Sequence, residues 1–445
     1  MMTSTSIMQD WPVVPFNVFW FRRDLRTDDN PGLNQAMKAG LPVVLLFIFD
    51  SDILNNLETP SDRRVSFIYD ALKRINTTAG DVGSKLFLIH GKPADVFENL
   101  STNPNFRDVF ANEDYEPYGR KRDQAVSALL ARNGKMLHLF QDQILMKPGA
   151  VLKENGEPYT IYTPFQRKWK SILEHRRIAP QQQPSFKGLL AESRPVDLPS
   201  LQHFGFTYQD VNDIIWEPNP DLLSYYAQQR DYPGVPGTSM IGPHLRFGTY
   251  SIRKAYQAGA ANSETWVNEL IWREFFMHIL WHYPNVVDHA FKPAFDRIIW
   301  RNDPVDFERW KWGQTGFPLV DAGMRELIST GFMHNRVRMV TASFLTKHLL
   351  IDWKWGEAWF ARHLLDYELS SNNGNWQWAA GTGCDAAPYF RIFNPIAQQK
   401  KFDSKLKYVL QWVPEWGTPK YPKPIVDHDM ARNRCLSAYK NALQP

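Results

Sequence analysis

The sequence predicts an α/β domain followed by an all-α domain. A doubly wound parallel sheet is expected over residues 1–145, a long linker over 146–209 and a helical domain over 210–445. Three observations predict this. Apolar runs alternate with helical patterns through the first third, the order of strands and crossover helices in a parallel sheet. The apolar runs are continuous, as strands covered on both faces require. From about residue 210 onward the signals are helical, with Gly and Pro turns between them.

The elements follow in order. Val18-Phe19-Trp20-Phe21 is the first strand, and Pro31 to Gly40 a short helix. Val43 to Phe49 is the second strand, and Ser61-Asp62-Arg63-Arg64 opens a helix that runs to about Asn76. Lys85 to His90 is a strand, Pro93 to Leu100 a helix, and Val109-Phe110-Ala111 a strand. Gly119 to Asn133 is a helix and Met136 to Phe140 the fifth strand. Gly, Pro, Gln and Ser then cluster around Pro180-Gln181-Gln182-Gln183-Pro184-Ser185, which reads as linker. The helical region that follows has no internal repeats or low-complexity tracts, and its last third is dense in Trp, Asn and Arg.

Composition narrows the class. The 445 residues have room for two or three domains and a large core. With 43% hydrophobic and 22% charged residues the chain is globular. Seventeen tryptophans exceed what packing usually needs, because each brings an N–H that wants a partner. They suit several large cores, electron transfer or base stacking. A net charge of +4 neither demands nor excludes nucleic acid, since a local patch matters more than the total. Cys384 and Cys435 define neither a disulfide framework nor a metal site. Met1 to Val14 has no apolar signal core, and the longest apolar run, Leu41 to Phe49, is too short to cross a membrane. A soluble cytoplasmic protein is expected.

Chemistry concentrates between Asn335 and Arg391, where amides, tryptophans, a methionine and paired charges alternate at helical and turn spacings. That mixture suits a buried planar redox-active ring beside a nucleobase pocket. An ordinary helical core would use leucine and alanine. Upstream, Glu269, Trp272 and Arg273 fall at i, i+3 and i+4 on one helix face. An acid, a large ring and a guanidinium together can hydrogen-bond a base, stack on it and contact phosphate. Read alone, that face is more simply an amphipathic helix with one Glu–Arg pair. Asn335 and Met339 share a face at i, i+4, with Arg336 and Arg338 pointing elsewhere. A thioether can pack on a planar ring, though a core methionine is the plainer reading. Trp300, Trp353 and Trp376 lie on separate helices and could form a hopping chain if they are adjacent. Gly237-Thr238-Ser239 precedes Pro243 and a helix; the turn offers N–H groups and hydroxyls to phosphate, or an ordinary cap. The N-terminal sheet has neither a Walker A loop nor Gly-x-Gly-x-x-Gly, so a dinucleotide would bind elsewhere.

Taken together these segments resemble the photolyase/cryptochrome family, most closely the class I cyclobutane pyrimidine dimer photolyases. The likeness runs through Phe19 to Arg26, Tyr226 with Arg230-Asp231, Gly237-Thr238-Ser239, Trp272-Arg273-Glu274-Phe275 and Thr315 to Arg325. It continues through Asn372 to Pro395 and Tyr421 to Val426, and covers roughly residues 15 to 435. The motifs are many, long and in order.

The resemblance implies a light-driven DNA repair enzyme with non-covalent, reduced FAD in the helical domain. Tyr226, Thr238, Ser239, Trp266 and Arg273 would touch the cofactor. Arg338 would pair with Asp366 near the flavin ring, followed by Glu368, and Asn372 would face flavin N5. A neutral amide there suits repair, where plant-type cryptochromes place an acid and animal types a cysteine. Glu269, Trp272, Asn335, Met339 and Trp378 would form the lesion pocket. Trp300, Trp353 and Trp376 would carry photoreduction. Arg230, Arg336 and Gln398, with Glu269, Trp272 and Asn335, would contact UV-damaged DNA, single- or double-stranded. An antenna chromophore is expected in the sheet domain, and folate (methenyltetrahydrofolate), deazaflavin and flavin all stay open. No metal is expected, and the protein should be a monomer.

Three departures from the family stand out. Met240 and Gly242 replace the Arg and Ser common in the phosphate loop, and Glu368 stands where some members have Asp. Around Val286 to His289 there is no cysteine of the kind some folate-binding members use. Three other functions compete. A cryptochrome sensor often carries a long C-terminal extension, whereas only residues 436–445 follow the matched body. A (6-4) photolyase uses histidines where this chain has Met339 and Trp378. A flavin-bearing DNA-binding protein without photochemistry would show no dependence on light.

Overall fold

The computed structural model describes residues 11–176, 178–194, 196–211 and 219–444. Two compact units result, one of Met1–Lys147, Arg176–Trp216 and Ile241–Ala258, the other of Pro148–His175, Glu217–Met240 and Gly259–Pro445.

The first unit is the expected doubly wound sheet. Its elements are β1 (Phe16–Phe21), α1 (Pro31–Lys38), β2 (Val43–Asp50), α2 (Arg63–Gly80), β3 (Leu86–Gly91), α3 (Pro93–Ser101), β4 (Phe106–Asn112), α4 (Pro117–Arg132) and β5 (Leu137–Phe140). The strands pair in parallel in the order β3-β2-β1-β4-β5. All six residues of β1 and all eight of β2 are buried, which explains their unbroken apolar runs. Edge strand β5 is only partly buried. Helix α2 starts where Asp62 accepts a hydrogen bond from Arg64 N, an ordinary N-cap.

The stretch 146–209 corrects the sequence reading, because it is divided between the two units. Tyr162–Glu174 is a helix, α5, burying Tyr162, Phe165, Trp169 and Leu173 at helical spacing. Farther on, Val43 N donates to Leu189 O and Ala191 N to Val43 O, so the Pro- and Gln-rich segment ends against β2. Its composition carries no periodicity; it is anchored by those backbone bonds and by Gln181, whose N–H donates to Asp29 Oδ1 and whose Oε1 accepts from Asn34 Nδ2. The expected boundary at 210 adjoins residues 212–218, which lie outside the described residues, as do residues 1–10 of the N-terminus. Segment 241–258 also belongs with the sheet: Arg253 and Ser251 both donate to the buried Asp29 carboxylate.

The second unit is helical. Its long central helix is α6 (Glu264–His282), started by Ser263, which accepts from Trp266 N, and buried on nearly all sides. Then come α7 (Pro318–Thr330), α8 (Asn335–Ser343), a π-helical turn at Phe344–His348, α9 (Trp353–His363), α10 (Leu369–Ala380), α11 (Pro395–Phe402) and α12 (His428–Leu443). Helices α7 to α10 share one core that includes Trp310, Trp353, Phe360 and Trp376. Helix α10 approaches α6 at Gly374, where a Cβ would sit 2.1 Å from Phe276 Cδ1, so only glycine allows this packing.

Candidate functional site

Three helices of the second unit turn matching faces toward one cavity of about 290 Å³. Helix α6 supplies Glu269, Trp272, Arg273 and Phe276, the i, i+3, i+4, i+7 stripe of one face. Helix α8 supplies Asn335 and Met339, and α10 supplies Ser371, Asn375 and Trp378. Arg230 completes the lining. The wall thus combines two indole rings, a thioether, amides and two guanidinium groups around one carboxylate.

Charges around the cavity are paired. Arg230 donates to Glu269, and burial pushes the Glu269 carboxyl up while Arg230 pulls it back down. Arg273 grips Glu368 with two nitrogens, at 3.1 and 3.2 Å, and both side chains are largely buried. Arg338 donates to both Asp366 oxygens, at 2.9 and 3.1 Å, and to Met333 O at 2.7 Å. Arg336 faces away from the cavity; it pairs with Asp231 at 2.8 Å and lies over the Phe402 ring at 4.2 Å.

Helix α8 is anchored from behind. His334 caps it by accepting from Arg336 N. Glu326 accepts from His334 N and from Tyr408 OH. Burial pushes the Glu326 carboxyl up to about 7, and burial with nearby Arg338 pushes His334 down to about 4.

Not every candidate residue lies on this cavity. Asn372 is next to Ser371 but one position around α10, where its Nδ2 donates to Glu357 Oε1 at 2.7 Å. Trp266 Nε1 donates to Ser239 Oγ at 3.4 Å, linking two expected cofactor residues. Thr238 and Ser239 precede a helix of only five residues, Gly242–Arg246, whose cap position Ile241 makes no side-chain bond. Met240 there has a left-handed backbone, φ +51°. Tyr226 opens the short helix Tyr226–Gln229, with Arg230 over its ring at 5.6 Å. Gln398 lies on α11 with a buried, unpartnered Oε1.

Trp353 and Trp376 are members of one buried core, and Trp300 packs against it. The Trp376 ring meets Phe360 at 4.9 Å and Trp310 at 6.0 Å. Trp300 meets Tyr439 edge-on at 6.1 Å. Among the described residues no group of three or more His, Cys, Asp or Glu could hold a metal ion.

Sequence reading missed several parts of the site. Ser371, Asn375 and Phe276 line the cavity, Glu357 holds Asn372, and Tyr162 stacks on Trp272. The α10 spacing Ser371, Asn375, Trp378 was available as a signal. The Glu357 and Tyr162 contacts bring distant segments together, and no local pattern marks them.

Residues 17–185 match the DNA photolyase family, and residues 266–420 match the FAD binding domain of DNA photolyase. The deoxyribodipyrimidine photo-lyase of Halobacterium salinarum is 37% identical, the alignment covering 96% of this chain and 99% of that one. A bacterial class III photolyase from Agrobacterium tumefaciens superposes with a TM-score of 0.85 at 33% identity, covering 96% of this chain and 98% of the other. An archaeal photolyase from Sulfolobus tokodaii with two FAD molecules gives 0.81 at 33%, covering 96% and 99%. A Synechocystis cryptochrome gives 0.82 at 26%, again covering 96% and 99%. With both family regions matched and a relative aligned end to end, the chain belongs to the DNA photolyase family.

Proposed function

We propose that the α6–α8–α10 cavity receives a cyclobutane pyrimidine dimer flipped out of UV-damaged DNA, and that the protein is a light-driven repair enzyme that splits it. The carrying observation is the convergence of Glu269, Trp272, Asn335, Met339 and Trp378 on one cavity beside Arg230 and Arg273. Flipping costs a few kcal/mol, less for a lesion whose stacking is already disturbed. Stacking on Trp272 and Trp378, worth about 1–3 kcal/mol per base, offsets much of it. Glu269 accepts hydrogen bonds from the base edge while Arg230 holds its carboxylate in place. Met339 and Phe276 keep water from the reacting face.

The cofactor is FAD. Its proposed holders offer complementary groups: guanidinium at Arg273 and Arg338, hydroxyls at Thr238 and Ser239, rings at Tyr226 and Trp266, and an amide at Asn372. Arg273 and Arg338 are already fixed by Glu368 and Asp366, so a phosphate or ring edge meets donors that need no rearrangement. This donor set fits a flavin dinucleotide. Bound, reduced FAD supplies, on blue or near-ultraviolet excitation, the electron that opens the cyclobutane ring and is then returned. Trp300, Trp353 and Trp376 keep the flavin reduced. A second, antenna chromophore belongs to the proposal; the Sulfolobus relative with two FAD molecules favours a flavin among the candidates.

Arg230, Arg336 and Gln398 bind the DNA strand around the lesion, so affinity falls with salt. The protein works as a monomer in the cytoplasm; no described helix is long and apolar enough to cross a membrane. The test is blue-light repair of a thymine-dimer oligonucleotide by the purified, reduced protein, read as recovery of base absorbance. Recovery only in the light supports the reading. Intact dimers with a photoreducible flavin would favour a cryptochrome-type sensor, to which the Synechocystis likeness also points.

A further inference from the structure

Behind the cavity, the ring of Tyr162 lies parallel to that of Trp272, with centroids 3.6 Å apart and planes 5° apart. Aromatic pairs more often sit offset or edge-on at 4.5–7 Å. Here Tyr162 backs the Trp272 ring directly. Phe275 and Phe276 flank that ring at 5.7 and 5.6 Å. Trp272 also lines the cavity, so its free surface is the side away from Tyr162.

Tyr162 is itself held at both ends. Its N–H donates to Asp385 Oδ2 at 3.0 Å, and its hydroxyl donates to Asn268 O at 2.9 Å on α6. The rest of α5 repeats the attachment. Gln166 Nε2 donates to Asn268 Oδ1 at 2.6 Å, and Trp169 Nε1 to Glu274 Oε2 at 2.7 Å. Residues 162, 166 and 169 fall at i, i+4 and i+7, so one face of α5 is tied along α6 directly behind the cavity. Cores of this kind need packing, but plain packing does not require a phenol ring parallel to an indole that a ligand would touch.

We infer that Tyr162 is a positioning residue for the lesion: it fixes the plane of Trp272 so that the indole meets a flipped pyrimidine face-on without first reorienting. The inference rests on the proposed lesion pocket and extends it to α5. Preorganising a stacking surface lowers the ordering cost of binding. Losing it should weaken dimer binding about five- to tenfold, the size of one aromatic pair. The hydroxyl matters less than the ring, because Gln166 also ties α5 to Asn268.

The test compares Tyr162→Phe, Tyr162→Leu, Tyr162→Met and Trp272→Leu as flavin-loaded proteins in the dark. Affinity is measured for a thymine-dimer oligonucleotide and for the same oligonucleotide undamaged. Y162F should bind the dimer within twofold of wild type. Y162L and Y162M should lose dimer affinity and keep both flavin and undamaged-DNA affinity, a split that general loosening of the core would not give. Dimer binding at wild-type strength in Y162L or Y162M, with W272L impaired, would overturn the inference. So would loss of flavin from both, since Tyr162 would then be a core residue. Wild-type dimer binding by W272L would instead remove the lesion pocket itself, whatever Tyr162 does.

Discussion

Asn372 Nδ2 donates to Glu357 Oε1 at 2.7 Å and to Glu357 O at 3.1 Å, fixing which way a buried amide on α10 points. The amide is the group proposed to face the flavin, and its orientation is set from α9. Burial pushes the Glu357 carboxyl up, and the Asn372 bond opposes that. Glu357→Leu removes the side-chain acceptor and leaves a buried donor under-satisfied, so it should cost about 1–3 kcal/mol. Glu357→Gln keeps an acceptor and should cost much less. Denaturant unfolding checks this; equal stability of the two variants would remove Glu357 as the orienting partner.

Glu326 and His334, in contact behind α8, titrate in opposite senses. Glu326 is pushed up to about 7 when folded, against 4.5 as its ordinary value. The folded state therefore binds the extra proton, and this group's stabilisation is complete below about 4.5 and lost as pH rises through about 7. His334 is pushed down to about 4 from 6.5, so its contribution is present above 6.5 and lost as pH falls through about 4. Glu326→Gln deletes the first effect and keeps the second. The stability of wild type relative to E326Q should rise by up to about 3 kcal/mol as pH falls from 7.5 to 4.5. Urea titrations across that range measure the difference, and a pH-independent gap would exclude a raised Glu326.

Glu269→Ala should weaken dimer binding tenfold or more while flavin content stays at wild type. A hydrogen bond to a charged group is worth about 1.5–3 kcal/mol. Removing the carboxylate also leaves Arg230 with its longer ion pair to Asp231, at 3.9 Å. The Arg230 charge then returns to the strand, so undamaged-DNA affinity should hold or rise. Repair at saturating DNA and a titration with both oligonucleotides separate these effects. Normal dimer binding by E269A would take Glu269 out of the site.

Legibility in the sequence followed locality. The β1 and β2 runs, Val18 to Phe21 and Val43 to Phe49, read correctly because a strand buried on both faces leaves no polar alternation. Glu269, Trp272 and Arg273 read correctly as one face because helical spacing is local. Residues 146–209 misled because Pro and Gln around 180–185 hid the α5 pattern Tyr162, Phe165, Trp169, which begins before them. Thr238 and Ser239 suggested a helix-terminus site, yet the helix after them has five residues and an uncapped start. Asn372 was legible as a notable amide but not as the partner of Glu357, fifteen positions away, since nothing in the residues between them encodes that contact.

Trp300→Phe should block photoreduction of the flavin and spare repair when the flavin is reduced chemically. Trp300 packs against the core that holds Trp353 and Trp376 and meets Tyr439 edge-on. Phenylalanine keeps the packing and is much harder to oxidise. Steady illumination with an external thiol, followed by flavin absorbance, reads the first effect. A dimer-repair assay after dithionite reads the second. Photoreduction at the wild-type rate would mean that electrons reach the flavin without Trp300.

Gly356→Ala should destabilise the protein and slow photoreduction together. In an exposed helix interior this change would gain up to about 1 kcal/mol, because alanine is the better helix former. Gly356 is buried on α9, and a methyl there would lie 2.1 Å from Trp376 Cη2 and 2.5 Å from Leu345 Cδ2. Neither neighbour can retreat freely, since Trp376 is wedged against Phe360 and Trp310. Overpacking of this kind costs about 1–3 kcal/mol, which outweighs the propensity gain. The displaced ring is also one of the three proposed for the electron chain, so a stability loss should come with a slower light-driven reduction. A variant that melts at or above the wild-type temperature would show that α9 can move away from α10. One that is destabilised yet photoreduces normally would show that the position of Trp376 is not limiting.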